Sequence, residues 1–226
     1  MIEALVFDFD GLILNTEMPD YQAWRETYQS YGLEFPLDRW ALRVGTVASL
    51  FDPYAHLEQK LGKKLNRGEV LQKQRARNLE LVALEKLRPG VEEYLNEAYR
   101  MKLRVAVASS STQDWVVGHL SRLEIADYFH SIRTRDDVDR VKPYPDLYDA
   151  TLETLGIKPG EAVAFEDSPN GIKAAKAAGL YCVAVPNELT KQLDLDSAGA
   201  DLRIDSMAGK NLRQLVHEIN QELRAL

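Results

Sequence analysis

A regular alternation of short apolar runs and amphipathic helical patterns restricts the fold of this 226-residue chain more than any other feature. An apolar run begins at Leu5, and later runs lie at residues 103–108, 131–133, 162–165, 181–185 and 202–204. Strands that alternate with helices are typical of a parallel sheet covered by helices on both faces. The sequence therefore predicts an α/β fold with a Rossmann-like parallel sheet core.

The segment between the first apolar run and the later ones has a different character. Residues 16–86 contain no convincing strand pattern, and four aromatic residues recur there at helical spacing: Tyr21, Trp24, Tyr28 and Tyr31. Such a stripe is more typical of a small helical core than of a ligand site. We expect an all-helical cap domain at 16–86, inserted into a core domain that consists of residues 1–15 and 87–226.

The chain carries 28 basic and 35 acidic side chains, for a formal net charge of −7. This balance argues against a nucleic-acid or anionic-membrane partner, because both require a basic surface. Residues 16–86 are nearly neutral, with 11 basic and 10 acidic residues, whereas the remainder has 17 basic and 25 acidic residues. The excess of carboxylates in the predicted core domain is compatible with a site that binds a cation.

Location and assembly are predicted from coarser features. No apolar run approaches the roughly 20 residues of a membrane-spanning helix, and the chain starts directly on a strand pattern without an export signal. Cys182 is the single cysteine, so an internal disulfide is impossible, and its apolar surroundings predict a buried side chain. We expect a cytoplasmic monomer with no membrane partner.

Asp8 and Asp10 follow the first apolar run, and Gly11 comes directly after them. Side chains two residues apart on a strand face the same side, so both carboxylates should point into one place. Open parallel sheets bind ligands at the carboxyl ends of their strands. Crowded carboxylates favour a bound cation, which predicts a metal site with a nucleophile and an acid/base group. A surface turn after an edge strand is the alternative, since Asp and Gly are common in turns.

Further polar residues fall at or near the ends of later strand patterns. Ser109, with the backbone of its loop, could hold phosphate oxygens, and Lys142 could neutralise a phosphoryl group. Glu166 and Asp167 add carboxylate oxygens of the kind that Mg²⁺ binds. Taken singly, a capping serine, a solvated lysine and acids at a helix N-terminus would also explain them. Their common location at strand ends favours one shared site.

The order of these residues closely resembles the four motifs of the haloacid dehalogenase-like phosphohydrolases. The matching residues are Asp8-Phe9-Asp10-Gly11, Ser109, Lys142 and Glu166-Asp167. A helical insert directly after the first motif is also a property of that family, and the resemblance covers the whole chain. Within this family, the chain most resembles the subfamily of β-phosphoglucomutase and small sugar-phosphate phosphatases. The residues that carry this closer resemblance are Thr16, Ala23-Trp24, and Glu166-Asp167-Ser168 with Gly171.

The resemblance implies a Mg²⁺-dependent phosphatase that acts on a small phosphorylated metabolite. Asp8 would be the nucleophile that forms an aspartyl-phosphate, and Asp10 would act as general acid and then as general base. The phosphoryl group would be held by Ser109, Ser110 and Lys142. The metal would be bound by Asp8, the backbone carbonyl of Asp10, Asp167 and Glu166, the last of these directly or through another ligand.

Three positions depart from the family pattern. Asn15 stands where an acid is usual, at the predicted hinge between the two domains. The mutase has a cap histidine that shuttles protons, and the matching residue here is Asp20. Ala48 occupies the place of a mutase arginine that grips a second phosphate. These departures disfavour a bisphosphate mutase and favour hydrolysis by water.

Other functions stay open on the sequence alone. A phosphosugar mutase or a 2-haloacid dehalogenase would use the same fold, although a halide leaving group needs no acid such as Asp10. From a different class, a phosphoacceptor signalling domain or a binding protein without turnover is an alternative, but receiver domains lack a helical cap. The substrate would be selected by the cap, whose candidates by residue type are Tyr21, Trp24, Trp40, Arg43 and Tyr54.

Overall fold

The computed structural model of the protein describes residues 1–41 and 51–225. Arg43 and Ala48, two positions of interest in the cap sequence, lie outside the described residues. Within those two ranges, no helix is both long enough and apolar enough to cross a bilayer.

Six parallel strands form one sheet, which confirms the predicted α/β fold. In chain order they are β1 (Ala4–Phe7), β2 (Arg104–Ala108), β3 (Ser131–Arg133), β4 (Ala162–Glu166), β5 (Tyr181–Ala184) and β6 (Leu202–Arg203). Their spatial order is β3-β2-β1-β4-β5-β6, so β1 lies in the middle and pairs with β2 and β4. The strand order reverses at β1, and ligand crevices of open α/β sheets lie beyond the carboxyl ends of the strands at such a point.

Helices are the regular elements of the insert in its described parts, 16–41 and 51–86, where no strand occurs. They are α1 (Glu17–Gln29), α2 (Leu37–Ala41), α3 (Pro53–Leu61) and α4 (Arg67–Leu84). The prediction that the aromatic stripe forms a core is confirmed. Trp24 and Tyr28 are buried in a cluster of their own, and Tyr21 and Tyr31 pack against it.

Five α-helices of the described chain cover the sheet: α5 (Val91–Met101), α6 (Gln113–Arg122), α7 (Asp146–Leu155), α8 (Pro169–Ala177) and α9 (Leu212–Ala225). Alternate side chains of the central strand enter two different cores. Leu5 and Phe7 pack in the core shared with α5, α6 and α9, whereas Ala4 and Val6 pack in the core shared with α7 and α8. The strand is apolar throughout because both of its faces are buried.

Both α4 and α8 begin at a side-chain cap. Asn66 Oδ1 accepts a hydrogen bond from the Glu69 amide at 3.3 Å before α4. The Ser168 hydroxyl accepts one from the Gly171 amide at 3.2 Å before α8. Each cap satisfies an amide that the first turn of a helix leaves without an intrahelical partner. The second cap also fixes the start of α8 directly after the fourth motif.

The insert joins the sheet domain through two neighbouring segments of chain. Leu14 forms an antiparallel bridge with Leu87. The Arg88 guanidinium donates to the Gly11 carbonyl and, at 2.9 Å, to the Pro186 carbonyl. Both crossings therefore lie beside the first motif, and α1 to α4 all fall between them. The boundaries of the predicted cap domain stay a prediction.

Candidate active site

A cavity of about 520 Å³ opens at the carboxyl end of the central strand, between the sheet and the helical insert. Six of the seven predicted site residues line it: Asp8, Asp10, Ser109, Ser110, Lys142 and Asp167. The seventh, Glu166, is completely buried and reaches Lys142 from below the cavity. The structure therefore brings together side chains that are separated by up to about 160 residues in the sequence.

Asp8 and Gly11 define the shape of the first motif. Asp8 extends the central strand by one residue, because its amide donates to the Phe165 carbonyl at 3.0 Å. Gly11 then turns the chain with a φ of +82°, which residues with a Cβ rarely adopt. A Cβ at this position would come within 2.4 Å of Asp167 Oδ2. Glycine is thus required both for the turn and for the close approach of the two acidic motifs.

Lys142 lies at the centre of the buried polar residues. Its Nζ donates to Asp8 Oδ1 at 2.5 Å, to Glu166 Oε1 at 2.6 Å and to the Ala108 carbonyl at 2.7 Å. These three acceptors match the three protons of an ammonium group. Burial opposes the charge, but the Asp8 and Glu166 carboxylates outweigh it and raise the pKa of Lys142 above its ordinary value. Lys142 is therefore a permanent cation at the floor of the site.

Tyr148 of α7 is buried, and the sequence analysis assigns it no role in the site. In the structure its hydroxyl donates to Glu166 Oε1, the oxygen that also binds Lys142. The Lys142 ammonium lies 5.3 Å from the centroid of the Tyr148 ring, within the range of a cation–π contact. Glu166 Oε2 is buried and has no hydrogen-bond partner in the described part of the chain. One oxygen of Glu166 thus holds Lys142, and the other packs against Gly171 of α8.

Asp8, Glu166 and Asp167 form a group of buried carboxylates in which one oxygen from each lies within 4.8 Å of the others. Burial raises the pKa of Asp8 to about 8, although Lys142 opposes this rise, and the Glu166 and Asp10 carboxylates add to it. Burial also raises the pKa of Asp167 well above its ordinary value, with neighbouring carboxylates adding to the effect. A hard divalent cation would neutralise this charge, and carboxylate oxygens are its preferred ligands. The residues therefore fit an ion such as Mg²⁺.

The Asp10 carboxylate lies outside this group and has partners of its own. Oδ2 accepts a hydrogen bond from the Ser111 hydroxyl at 2.5 Å and lies 3.5 Å from the Ser109 hydroxyl. Oδ1 accepts one from the indole Nε1 of Trp115 at 2.9 Å. The sequence analysis assigns no role to Ser111 or Trp115. Ser111 lies in the loop before α6 and Trp115 lies in its first turn, so no helical spacing in the sequence links the two side chains.

Asn187 follows β5 and is a further residue of the site that sequence reasoning misses. Its Nδ2 donates to Asp167 Oδ2 at 2.7 Å and to Glu17 Oε2 at 2.8 Å. Its Oδ1 accepts from the amides of Leu189 and Thr190, both at 2.9 Å, so the side chain is fixed at both ends. Burial raises the pKa of Glu17 to about 7, and the hydrogen bond from Asn187 opposes the rise. Asn187 thereby joins the fourth motif to the first turn of the insert.

The loop after β2 forms the opposite wall of the cavity. Ser109 is buried, and its Oγ accepts a hydrogen bond from the Ser111 amide at 3.1 Å. Ser110 is half-buried and lines the cavity, as does the exposed Arg135. Hydroxyl groups close to the buried Lys142 ammonium provide a suitable environment for the oxygens of an anion.

The insert contributes five residues to the lining of the cavity, namely Thr16, Glu17, Asp20, Trp40 and Asn78. Gln74 of α4 donates to Asp20 Oδ1 at 2.6 Å and so links α1 to α4. Trp24, Trp40 and Tyr54, three of the residues considered for substrate selection, are buried in the core of the insert, and of these three Trp40 also lines the cavity. Asn15 accepts a hydrogen bond from the Met18 amide at 3.4 Å and so contacts the first turn of α1.

Fold and site together define a class of enzyme. A central strand presents a carboxylate to a buried ammonium, two further carboxylates adjoin it, and a helical insert covers the cavity. A carboxylate can approach a phosphoryl group only where positive charge screens the repulsion. The arrangement is that of a Rossmann-like hydrolase with a helical insert above the carboxyl ends of its strands.

Comparison with known proteins gives the family. The model of the haloacid dehalogenase-like hydrolases matches residues 5–185, and the chain belongs to this family. A protein of Bacillus subtilis (strain 168), named as the candidate phosphatase YhcW, is 46% identical over 222 residues, which are 98% of this chain and 100% of that protein. The phosphorylated carbohydrates phosphatase of Thermotoga maritima is 33% identical, over 88% of this chain and 92% of that protein.

A solved structure shares the fold of the whole chain, the helical insert included. It is a Thermotoga maritima protein described as a candidate β-phosphoglucomutase, with a TM-score of 0.81 and 29% identity. The match covers 96% of this chain and 99% of that one. The predicted resemblance to β-phosphoglucomutase-like members of the family is therefore confirmed.

Proposed function

We propose that this protein is a Mg²⁺-dependent phosphatase that hydrolyses a small phosphorylated metabolite through a phosphorylated Asp8. The position of Lys142 carries the proposal, because its ammonium joins Asp8 to Glu166 in a buried cluster that also contains Asp167. A carboxylate nucleophile needs such a cation beside a phosphate group. The family and its phosphatase-named members support the same chemistry.

The first half of the reaction transfers the phosphoryl group to Asp8. A carboxylate oxygen of Asp8 attacks phosphorus, and the bond from phosphorus to the ester oxygen breaks. Asp10 gives its proton to that oxygen, so the product leaves as a neutral alcohol. Lys142 offsets the charge of the phosphoryl group, whose oxygens are held by Ser109 and Ser110.

The second half of the reaction returns the enzyme to its starting state. Asp10, now a carboxylate, takes a proton from a water molecule whose oxygen attacks phosphorus. The bond between phosphorus and Asp8 breaks, and inorganic phosphate leaves with both aspartates restored. The helical insert above the cavity would limit the access of bulk water during the first half of the reaction.

The residues that would hold magnesium are Asp8, Asp167, Glu166 and the backbone carbonyl of Asp10. The bound ion would supply positive charge that stabilises the phosphoryl group during transfer. The buried group of carboxylates with raised pKa values supports this assignment. Glu166 has only Oε2 to offer the ion, since Oε1 already accepts from Lys142 and Tyr148.

Hydrolysis is better supported than the alternatives. Asp20 occupies the position of the mutase histidine and accepts a hydrogen bond from the side-chain amide of Gln74 in α4. This contact fixes the Asp20 carboxylate, which suits a hydrogen-bond acceptor more than a proton shuttle. A dehalogenase would have no use for Asp10, which has two donors that hold it in the cavity. A phosphoacceptor domain would not need the helical insert that covers the site.

Phosphate monoesters of hydroxylated compounds are the substrate class that we propose. A relative named as a phosphatase of phosphorylated carbohydrates supports this class. The wall formed by the insert offers hydrogen-bonding groups to hydroxyls, among them the Asp20 carboxylate and the Asn78 amide. The division into a core domain (1–15 and 87–226) and a cap domain (16–86) belongs to the same proposal. A cytoplasmic location and a monomeric state stay predictions.

Phosphate release from p-nitrophenyl phosphate tests the proposed function. We expect turnover that requires Mg²⁺, stops on addition of a chelator, and is lost in Asp8→Asn. The exposed Asp205 provides the matched control, because Asp205→Asn makes the same chemical change at a distance from the cavity. Acid quenching followed by mass spectrometry should locate the phosphoryl group on Asp8. Activity without a divalent metal, or activity that survives in Asp8→Asn, would contradict the proposal.

A further inference from the structure

Trp115 is the first residue of α6 that reaches the cavity, and it contacts the side chain proposed to move the proton. Its indole Nε1 donates to Asp10 Oδ1 at 2.9 Å. The Ser111 hydroxyl donates to the other oxygen, Oδ2, at 2.5 Å. The two oxygens of Asp10 therefore have different partners, one in the loop before α6 and one in the first turn of this helix.

A stack of rings keeps the indole in this position. The His119 ring, one turn further along α6, meets the Trp115 ring edge to face at 4.3 Å between centroids. On its other side, His119 stacks on the ring of Phe9 at 6.2 Å. Phe9 is the chain neighbour of Asp10. The indole thus cannot leave Asp10 without disturbing a ring that packs against the first motif itself.

The two partners of Asp10 are chemically unequal. An indole N–H can only donate, so the oxygen that faces Trp115 has to remain an acceptor. A hydroxyl can donate or accept, so the oxygen that faces Ser111 can carry a proton or lack one without losing its partner. Oδ1 is thereby fixed as the anchoring oxygen, and Oδ2 is left as the oxygen that exchanges a proton.

We propose that Trp115 is a positioning residue, which holds Asp10 by Oδ1 so that Oδ2 serves the leaving group and the attacking water. This role rests on the proposed function, because it has a purpose only if Asp10 transfers protons. Without the indole N–H, the carboxylate could rotate, and either oxygen could face the reacting atoms. A tryptophan that merely packs against His119 would not need to contact Asp10.

The hydrogen bond itself can be tested by NMR without any assay of activity. The chain has three tryptophans, so a ¹H–¹⁵N spectrum contains three indole N–H signals, and Trp115→Phe identifies the one of interest. We expect Asp10→Ala to shift this signal upfield by more than the other two, because it removes the acceptor. Asp205→Ala is the control and should leave the signal in place. An indole signal that does not respond to Asp10→Ala would overturn the inference.

The positioning role is tested with two esters that differ in their need for an acid. Phenolate requires protonation far more than p-nitrophenolate does, so kcat/KM for phenyl phosphate reports the contribution of Asp10. We expect Trp115→Phe, which keeps a ring beside His119, to lower this value about ten- to hundredfold, as for the loss of a hydrogen bond to a charged group. For p-nitrophenyl phosphate the loss should be about threefold or less.

The control for this measurement is Trp24→Phe, the same change in the core of the insert, which should affect both esters equally. Equal losses on the two esters in Trp115→Phe, or no loss on either, would show that Trp115 does not position Asp10. An unmodified enzyme that hydrolyses neither ester with Mg²⁺ would instead contradict the proposed function. The two failures are distinguishable, because the NMR measurement does not depend on turnover.

Discussion

At the scale of single residues, the site brings one buried cation together with several buried carboxyl groups. Lys142 is about 6% exposed and faces two carboxylates that are equally protected from water. Removal of one partner of a buried ion pair is costly, because the remaining charge is left without compensation. When all of its carboxylates are ionised, the cluster has a surplus of negative charge even with Lys142 present, and a metal ion would balance this surplus.

Asp10→Asn separates proton transfer from metal binding. Asparagine can accept from Trp115 through its oxygen and donate to the Ser111 hydroxyl through its amide, so the side chain should keep its place. We expect kcat to fall by about 10²–10⁴-fold, since a general acid and base is lost. Titration calorimetry should show nearly unchanged Mg²⁺ affinity, because the proposed contact of residue 10 is its backbone carbonyl.

The control for this prediction is Asp167→Asn, which removes a proposed metal ligand and should lower both turnover and Mg²⁺ affinity. A large loss of Mg²⁺ affinity in Asp10→Asn would mean that its side chain, and not its carbonyl, contributes to the metal site.

Tyr148→Phe tests whether the hydrogen bond from the Tyr148 hydroxyl positions Glu166. The variant keeps the buried ring and removes only the hydroxyl that donates to Glu166 Oε1. We expect a loss of about 1 kcal/mol in the free energy of unfolding, as for one buried hydrogen bond. Activity should fall about three- to tenfold, because Lys142 depends on Glu166 for its position. Urea unfolding and steady-state kinetics measure the two effects.

Tyr99→Phe is the matched control, since Tyr99 is 78% exposed and the same hydroxyl is removed there. It should change neither stability nor activity. A Tyr148→Phe enzyme with unchanged kcat would show that Glu166 holds Lys142 in place without the Tyr148 hydroxyl.

Some residues of the site can be predicted from the sequence, and others cannot. Asp8 and Asp167 directly follow β1 and β4, so a reading of the strands places them at one edge of the sheet, whereas Lys142 lies in the long loop after β3 and is found through the family resemblance. Trp115 and Asn187 act through partners 105 and 170 residues away, and no local pattern marks such a contact. Their hydrogen bonds depend on loop geometry that only the folded chain supplies.

At the scale of elements, helical pairing in the insert positions the wall of the cavity. Gln74 of α4 holds Asp20 of α1 at 2.6 Å, and Arg77 holds Glu26 at 2.6 Å one turn away. The sequence predicts these helices from their periodicity and correctly assigns the aromatic stripe to their core. It does not predict which polar residues join them, because periodicity fixes the buried face of a helix but not its partner on the polar face.

His56 of α3 makes the stability of the insert depend on pH. Its Nδ1 lies 2.9 Å from the Tyr28 hydroxyl, and burial lowers the pKa of His56 below its ordinary value, with Lys60 and Arg39 adding to the effect. The folded state therefore binds fewer protons than the unfolded state when the pH falls below about 6.5. We expect this contribution to be complete above that pH and to be lost as the pH falls through the lowered pKa of the folded state.

Urea unfolding of His56→Gln at pH 7.5 and at pH 5 measures this contribution. The variant should lose less stability between the two pH values than the unmodified protein does. The exposed His217 of α9 is the control, and His217→Gln should keep the full loss. An equal loss in the protein and in His56→Gln would show that His56 does not couple the insert to pH.

At the scale of the whole molecule, one small region connects the two parts of the chain to the chemistry. The Gly11 turn approaches Asp167, the Arg88 guanidinium joins the Gly11 and Pro186 carbonyls, and Asn187 links Asp167 to Glu17 of the insert. The sequence predicts that the chain crosses twice beside the first motif. It does not predict the loop after β5 as the third member of this junction, since nothing in the composition of that loop distinguishes it.

This arrangement predicts that metal binding stabilises the molecule as a whole. An ion that binds the folded state alone adds about 2.7 kcal/mol at a hundredfold excess over its Kd. For a chain of this size, that gain corresponds to a rise in Tm of about 5–10 °C. Mg²⁺ should therefore raise Tm in a thermal melt, and a chelator should reverse the rise.

Asp167→Asn shows whether the carboxylate cluster is the origin of this effect. Burial and the neighbouring carboxylates both act against the charge of Asp167, so its removal should leave the metal-free protein at least as stable as before. The amide oxygen of the new side chain can still accept from Asn187. The rise in Tm with Mg²⁺ should disappear in this variant and persist in the Asp205→Asn control. If Mg²⁺ raised Tm equally in both variants, the ion would be binding elsewhere, because only the first change removes a member of the buried carboxylate group.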